Sequence, residues 1–451
     1  MNKLEELGKT DVGKLMWKYF VPAFVGVFLN ALYNIVDRIF IGQGVGAEAL
    51  SGISVIFPVM LIMMGFGMMI GIGTGVVVSI NLGKRDLETA EKTIGTGFVL
   101  MIIASAVVMI LTYIFKKPVL QSFGATAETY QFANDYLNII LAGTIFMVVG
   151  FSLNNVIRSE GNARIAMISM ILSSVTNVLL DYIFIFRFGW GVKGAAWATI
   201  ISMFVLMVWV LVHFNSKRSV VRLKQNNIRF DWFILKQIVA IGMAPFAMQI
   251  ASSVVQGLLN KKLIQFGGDL AVGAMGIINS MVTLFVMSIV AINMAAQPII
   301  GFNYGAKSVE RVKQSLKISI IAATAIAVGA FILIEAMPGV FVKLFNNNST
   351  VLYELARNGM TLVFLALPIV GFQVVASNFF QSVGKAKYAM FATLFRQVIL
   401  LIPLLFLLPV FFGINGIWLA FPVADIVSAM AVALVLYHEW KKLNLLENEI
   451  A

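Results

Sequence analysis

Ser173-Ser174-Val175-Thr176-Asn177-Val178-Leu179-Leu180-Asp181-Tyr182-Ile183-Phe184 lies inside a long apolar run, yet it carries an amide and a carboxylate. Asn177 and Asp181 are four apart, so a helix places them on one face. An aspartate at the centre of a hydrophobic span costs about 2.5–3.5 kcal/mol on insertion scales. A chain that keeps one there turns it toward a cavity or a partner. A second such acid, Asp37, stands in Ala31-Leu32-Tyr33-Asn34-Ile35-Val36-Asp37-Arg38-Ile39-Phe40. The two acids point to a transport pathway within a membrane protein.

The surrounding sequence agrees. Of 451 residues, 60% are hydrophobic and only 12% are charged, against about 25% in a soluble domain. The net charge of +12 is spread over short segments between apolar runs, which suits a cytosolic membrane face and not a nucleic-acid partner. With no cysteine, disulfides, thiolate nucleophiles and cysteine metal sites are excluded. The first apolar run is too long for a signal-peptide core and is expected to remain as a span.

About 20 apolar residues cross a bilayer. That rule predicts twelve spans, near 16–40, 51–80, 93–115, 132–157, 165–186, 193–214, 235–265, 271–300, 314–336, 352–381, 388–411 and 415–438. The longest polar connection, 215–234, divides the chain into an N-terminal six-helix bundle, 1–214, and a C-terminal one, 235–451. With the N-terminus in the cytosol, 24 of the 33 Lys and Arg fall on the cytosolic side and 9 on the other, so both termini are expected in the cytosol.

The halves repeat. Asn81-Leu82-Gly83 returns as Asn303-Tyr304-Gly305, and Gly191-Val192-Lys193-Gly194 as Gly413-Ile414-Asn415-Gly416, both 222 residues on. Pro22 returns as Pro245, and Ser159-Glu160-Gly161 as Ser382-Val383-Gly384, both 223 on. Six spans per half give a parallel repeat, with both halves oriented alike. Asn260 then corresponds to Asp37 and Pro403 to Asp181, so the acids belong to the first half alone. Asp37 is 20 residues past Trp17 and Asp181 is 17 past Arg164, about 30 Å and 25 Å of helix. Their depths are therefore similar. Such a pair in low dielectric could carry a proton near neutral pH, and its charged form would attract cations.

Other features have plainer readings. The glycines of the second span (Gly65, Gly67, Gly71, Gly73, Gly75) lack the Lys-Ser/Thr of a phosphate loop and suit close helix approach. Met60, Met63, Met64, Met68 and Met69, with Met281, Met287 and Met294 in the repeat partner, suit flexible packing before a promiscuous pocket. Arg396 and Asp425, both intramembrane, are expected to form a structural ion pair. His213 and His438 stand at cytosolic span ends, at no metal-ligand spacing and in no evident His-acid catalytic pair. No enzyme is expected.

Twelve spans, the six-plus-six repeat, the acid of span 1 and Asn-x-x-x-Asp of span 5 together resemble the multidrug and toxin extrusion (MATE) family. Tyr33-Asn34-Ile35-Val36-Asp37 followed by Ile41-Gly42, and Arg158-Ser159-Glu160-Gly161-Asn162, resemble its bacterial MepA- and DinF-like branches. The resemblance covers essentially the whole chain. It implies an all-α polytopic membrane protein of two pseudo-symmetric six-helix bundles, acting as a monomer in the cytoplasmic membrane. It also implies a role in antibiotic resistance, by export of cationic, often aromatic compounds in antiport with H+ or Na+, without a cofactor. The first-half polar site carries over to Asp37, Asn177, Asp181 and Thr199, which are also the candidate Na+ ligands. Asn154, Tyr33 and Asn30 match positions near it. The family's second-half acids for Na+ have only Asp425 as a counterpart here. A flippase for lipid-linked saccharides would need a cavity rich in basic residues, and a membrane-embedded transferase would need a catalytic His or an acid pair near a loop.

Overall fold

The computed structural model describes residues 3–123, 125–126, 129–343 and 350–450. Among them the chain is helical, without strands. In order, the helices are α1 (Lys3–Lys9), α2 (Val12–Gly44), α3 (Ala47–Gly83), α4 (Leu87–Ser122), α5 (Tyr130–Ala142), α6 (Thr144–Ser159), α7 (Ala163–Asp181), α8 (Gly191–Asn215), α9 (Trp232–Gly305), α10 (Val309–Ala336), α11 (Pro338–Lys343), α12 (Thr350–Phe364), α13 (Leu367–Ser382), α14 (Ala386–Leu394), α15 (Ile402–Phe412) and α16 (Ile414–Ile450). Two π-helical segments, Tyr182–Arg187 and Phe395–Leu401, continue α7 and join α14 to α15.

Among the described residues, ten helical stretches are long and apolar enough to cross a membrane, and counting each of two bent pairs as one span gives the expected twelve. The bent pairs are α5 with α6, at 56°, and α12 with α13, at 51°. α9 supplies two spans because Gly268, at φ 66°, breaks it. A side chain there would strain against its own backbone.

The backbone repeats as the sequence does. The left-handed residues Gly46, Arg85, Gly161 and Gly191 have counterparts in Gly268, Lys307, Gly384 and Gly413, at the same offsets of 222 or 223. Arg85 and Lys307 lie in the short turns before α4 and α10. The capping residues beside them share one backbone conformation, Asp86 at φ −90°, ψ 79° and Ser308 at φ −85°, ψ 74°. Asp86 Oδ1 accepts from the Thr89 amide at 2.9 Å. Hydrogen bonds from Thr89 hold this exposed carboxyl below the usual carboxylate range.

Contacts divide the chain into one unit of 1–10 and 21–246 and a second of 11–20 and 247–451. The division comes later than the 215–234 connection, and the linker itself shows why. Thr96 Oγ1 donates to the Arg229 carbonyl at 3.2 Å, and Lys224 Nζ lies 2.6 Å from Glu91 Oε2. Gly73 and Gly242 then bring α3 and the start of α9 into backbone contact, against Ile238 and Met69 respectively. The linker and the first turns of α9 are therefore packed onto the first unit. In that unit α3 runs against α4, α5 and α6, and α8 against α5, α6 and α7. Ser152 Oγ donates to the Gly67 carbonyl at 2.9 Å, so the second-span glycines serve close helix approach as expected. Met63 is fully buried in the core, whereas Met64 is exposed. In the second unit α10 packs on α13, and α16 on α12, α13 and α15.

The anticipated ion pair of the second unit is present: Arg396 Nε donates to Asp425 Oδ1. His213 departs from expectation. Its Nε2 lies 2.5 Å from Glu160 Oε1, a His-acid contact across 53 residues that no local pattern announces. The same Oε1 accepts from Asn162 Nδ2 at 2.5 Å. Glu160 Oε2 accepts from Ser219 Oγ at 2.8 Å, Val220 N at 2.9 Å and Val221 N at 3.2 Å. One fully buried carboxylate thus clasps the linker. In the second unit the repeat places Val383 where Glu160 stands. There Lys385, in the turn before α14, binds Glu439 of α16, so the acid stands on the helix and the base in the turn.

Candidate functional site

The site is built on α2, α5, α7 and α8 of the first unit. Spacing of four brings Asn177 and Asp181 to one face of α7, and both are buried, at 1% and 0% exposure. Spacing of four on α2 does the same for Tyr33 and Asp37. The carboxyls of Asp37 and Asp181 approach within direct interaction range. Tyr33 comes within reach of both acids and of Asn30 and Asn34. The helix of Tyr33 is held locally by Asn34 Nδ2, which donates to the Asn30 carbonyl at 2.6 Å.

Tyr136, on α5, completes the group and was absent from the sequence-derived set. It is buried in the core, beside Leu137 and Ile140. Its side chain is near Thr199, Asp37, Asp181 and Tyr33. Thr199 Oγ1 itself donates to the Ala195 carbonyl at 3.0 Å, so its lone pairs remain to accept. The signal for Tyr136 in the sequence was slight: a hydroxyl within an otherwise apolar helix face.

Asn154 stands apart. Its Nδ2 donates to the Ala166 carbonyl at 2.9 Å and to Ser169 Oγ at 2.6 Å, and its Oδ1 accepts from Arg158 Nη2. Ser169 precedes Asp181 by 12 residues, about 18 Å of helix. The side chain of Asn154 is committed to joining α6 to α7 well away from the acids.

The chemistry lies in what is left unpaired. Asp37 Oδ1, both carboxylate oxygens of Asp181, and both amide atoms of Asn177 are buried with no hydrogen-bond partner among the described residues. Buried polar atoms are nearly always paired, and a buried charge without a partner is costly. Two facing carboxylates cannot satisfy each other, since ionised they are both acceptors. A proton shared between them resolves the conflict, and so does a cation. No cluster of three or more His, Cys, Asp or Glu suited to a metal occurs among the described residues. Oxygens of Asp37, Asn177, Asp181 and Thr199 nonetheless suit a monovalent cation. The neighbouring Arg38 makes no salt bridge to either acid among the described residues; its guanidinium sits over the Phe57 ring, 5.2 Å from the centroid.

The MatE family model matches residues 22–183 and 245–407, one match in each half of the repeat. Over 429 residues the chain is 27% identical to the multidrug export protein MepA of Staphylococcus saprophyticus, covering 95% of this chain and 94% of that protein. MepA of Staphylococcus aureus matches with the same identity and coverage. Among solved structures, the MATE multidrug transporter DinF-BH is 37% identical, with a TM-score of 0.90 over 96% of each chain. An outward-facing multidrug resistance MATE family transporter of the MOP superfamily is 25% identical, with a TM-score of 0.90 over 98% of each chain.

Proposed function

The chain belongs to the MatE family of multidrug efflux transporters, and on that premise we propose that it exports cationic organic compounds in antiport with protons, through the Asp37–Asp181 carboxyl pair. The supporting observation is the set of five buried, unpartnered polar atoms of Asp37, Asn177 and Asp181. Such a set is stable only when something binds it. A proton serves, and so does an organic cation, and the two compete for the same oxygens. Tyr33 and Tyr136 add aromatic faces for a cation.

Antiport follows from that competition. Occupation by a proton favours one arrangement of the protein, and occupation by substrate favours the other. Coupling requires only that each ligand bind the two arrangements with different affinity. With Asp37 and Asp181 both in the first unit, one site carries both tasks in turn. We place the transporter in the cytoplasmic membrane as a monomer with both termini cytosolic, in keeping with its Lys and Arg distribution.

The test is dye efflux from proteoliposomes under one gradient at a time. Efflux driven by a pH gradient at symmetric Na+ is expected. Efflux driven by a Na+ gradient at equal pH, and indifferent to a pH gradient, would assign the same oxygens to Na+ instead.

A further inference from the structure

We propose that the outer face of the linker, residues 216–231, is a docking surface for the headgroups of anionic phospholipids in the leaflet at that end of the first unit. The inference concerns the bilayer and not the exported compound, and it holds whichever compartment the linker faces.

The linker is a strap whose inner side is committed to protein. Ser219, Val220 and Val221 bind Glu160, and Val221 is fully buried. Lys224 pairs with Glu91 of α4, and the Arg229 carbonyl accepts from Thr96. The Asn227 carbonyl packs on Gly95 so closely that a side chain there has no room. These anchors are spread along most of the strap. The exposed side chains between them start from a held backbone, and a held surface loses less freedom on binding.

The outer side is cationic. Lys217, Arg218, Arg222 and Arg229 are exposed, and the side chain of each makes no hydrogen bond, ion pair or ring contact among the described residues. The acids of the linker and of the adjoining start of α4 are already engaged. Asp231 Oδ1 accepts from the Phe233 and Ile234 amides at 2.9 Å and 3.0 Å. Asp86 caps α4, Glu88 pairs with Lys92, and Glu91 holds Lys224. Four cations on one short strap without a counter-charge attract an anion from outside the chain.

Position selects a lipid. α8 ends at Asn215 and α9 begins at Trp232, both as stretches long and apolar enough to cross a membrane. Lys217 and Arg218 closely follow the first stretch, and Arg229 closely precedes the second, so these charges stand at headgroup level. Each Lys or Arg there strengthens attachment to an anionic surface about fivefold. A guanidinium also matches two phosphate oxygens at once.

The aromatic residues are an independent sign. Phe230, Trp232 and Phe233 are 52%, 59% and 72% exposed. Three such rings in succession are a poor surface for water, whereas aromatic side chains are enriched where a span meets the headgroups. The Phe230 and Trp232 rings lie 5.6 Å apart, and Lys236 Nζ stands 5.6 Å from the Trp232 ring centroid. A free phosphate would meet the cations alone and leave the rings in water. A phospholipid answers both.

The chain has no cysteine, so Gln225→Cys, at an exposed position of the linker, takes a single fluorophore. The labelled full chain is placed in phosphatidylcholine nanodiscs that carry a minor share of doxyl-labelled phosphatidylglycerol or, separately, doxyl-labelled phosphatidylcholine. Quenching reads the local concentration of each lipid. At low salt, phosphatidylglycerol is expected to be enriched about tenfold at the label, less than the product of the single-charge factors because counterions screen them. The enrichment should fade as salt rises. Lys217→Gln/Arg218→Gln/Arg222→Gln should bring it to parity, and Lys217→Arg/Arg218→Lys/Arg222→Lys should keep it. Arg222→Gln alone should lose part of it, and decides the matter if the neutral triple variant does not fold. Equal quenching by the two lipids overturns the proposal, and so does an enrichment that survives neutralisation. Loss of the enrichment on adding glycerol 3-phosphate at constant ionic strength assigns the cations to a free phosphate and overturns it as well.

Discussion

Replacing Glu160 by alanine should release the linker from the first unit. The carboxylate is fully buried and takes part in five polar contacts, two through Oε1 and three through Oε2. Removing one partner of a buried charged pair costs about 3–5 kcal/mol. The linker donors Ser219, Val220 and Val221 can lift away into water, so the lower end applies. At about 1.4 kcal/mol per tenfold, a loss of about 3 kcal/mol raises the population of released linker about 100-fold. Glu160→Gln should do far less. Its remaining oxygen can stay on the three linker donors, while its new N–H2 faces Asn162, whose Oδ1 is buried and unpartnered. The loss is then mainly charge assistance, about 1–1.5 kcal/mol, or roughly tenfold in released linker. Limited trypsin digestion reads the quantity directly, because Lys217, Arg218, Arg222 and Lys224 are in the segment. Cleavage must be slow relative to reclosing, so that its rate follows the open population. Equal cleavage of parent and Glu160→Ala would refute the clasp.

Asp37→Asn and Asp181→Asn should each reduce cellular dye efflux to background while the thermal midpoint stays near that of the parent, because Asp37 Oδ1 and both Asp181 carboxylate oxygens have no hydrogen-bond partner among the described residues; efflux retained at matched membrane levels would contradict the assignment. Arg396→Gln alone should lower folded yield, by leaving Asp425 buried and unpaired at about 3–5 kcal/mol, and the double Arg396→Gln/Asp425→Asn should recover part of it; normal yield of both single variants would count against the ion pair. Asp86→Ala should cost about 1 kcal/mol through the lost cap of α4. Since the folded carboxyl titrates below its unfolded value, the contribution of Asp86 is present above the usual carboxylate range and fades as pH falls through the lower folded value; a parent-minus-variant difference that grows on acidification would exclude it.

Elements carried by local pattern were legible from residues alone. Apolar length placed the spans, and an acid in each of two apolar runs at similar depth brought Asp37 and Asp181 together before any coordinates did. The repeat offsets reappear in left-handed residues as unlike as Gly46 and Arg85, since backbone conformation follows turn position as well as residue type. Long-range pairing was not legible. Glu160 meets residues 53 to 61 positions away, and nothing in its own neighbourhood specifies them. Asn154 shares a span with Arg158, but which face of α6 looks toward α7 depends on packing. Tyr136 escapes the sequence pattern because a tyrosine in an apolar helix is usually core, and here it is core at one end and polar site at the other.

Asp11–Phe20 belongs with residues 247–451, although the chain on either side of it belongs with the first unit. During synthesis, the N-terminal start of α2 therefore waits for neighbours that begin roughly 230 residues later. At about 5–20 residues per second, that is a delay of about ten to fifty seconds. The first span is inserted early but completed late. During that interval it is held only by its C-terminal part, from Val21 on, which carries Asp37.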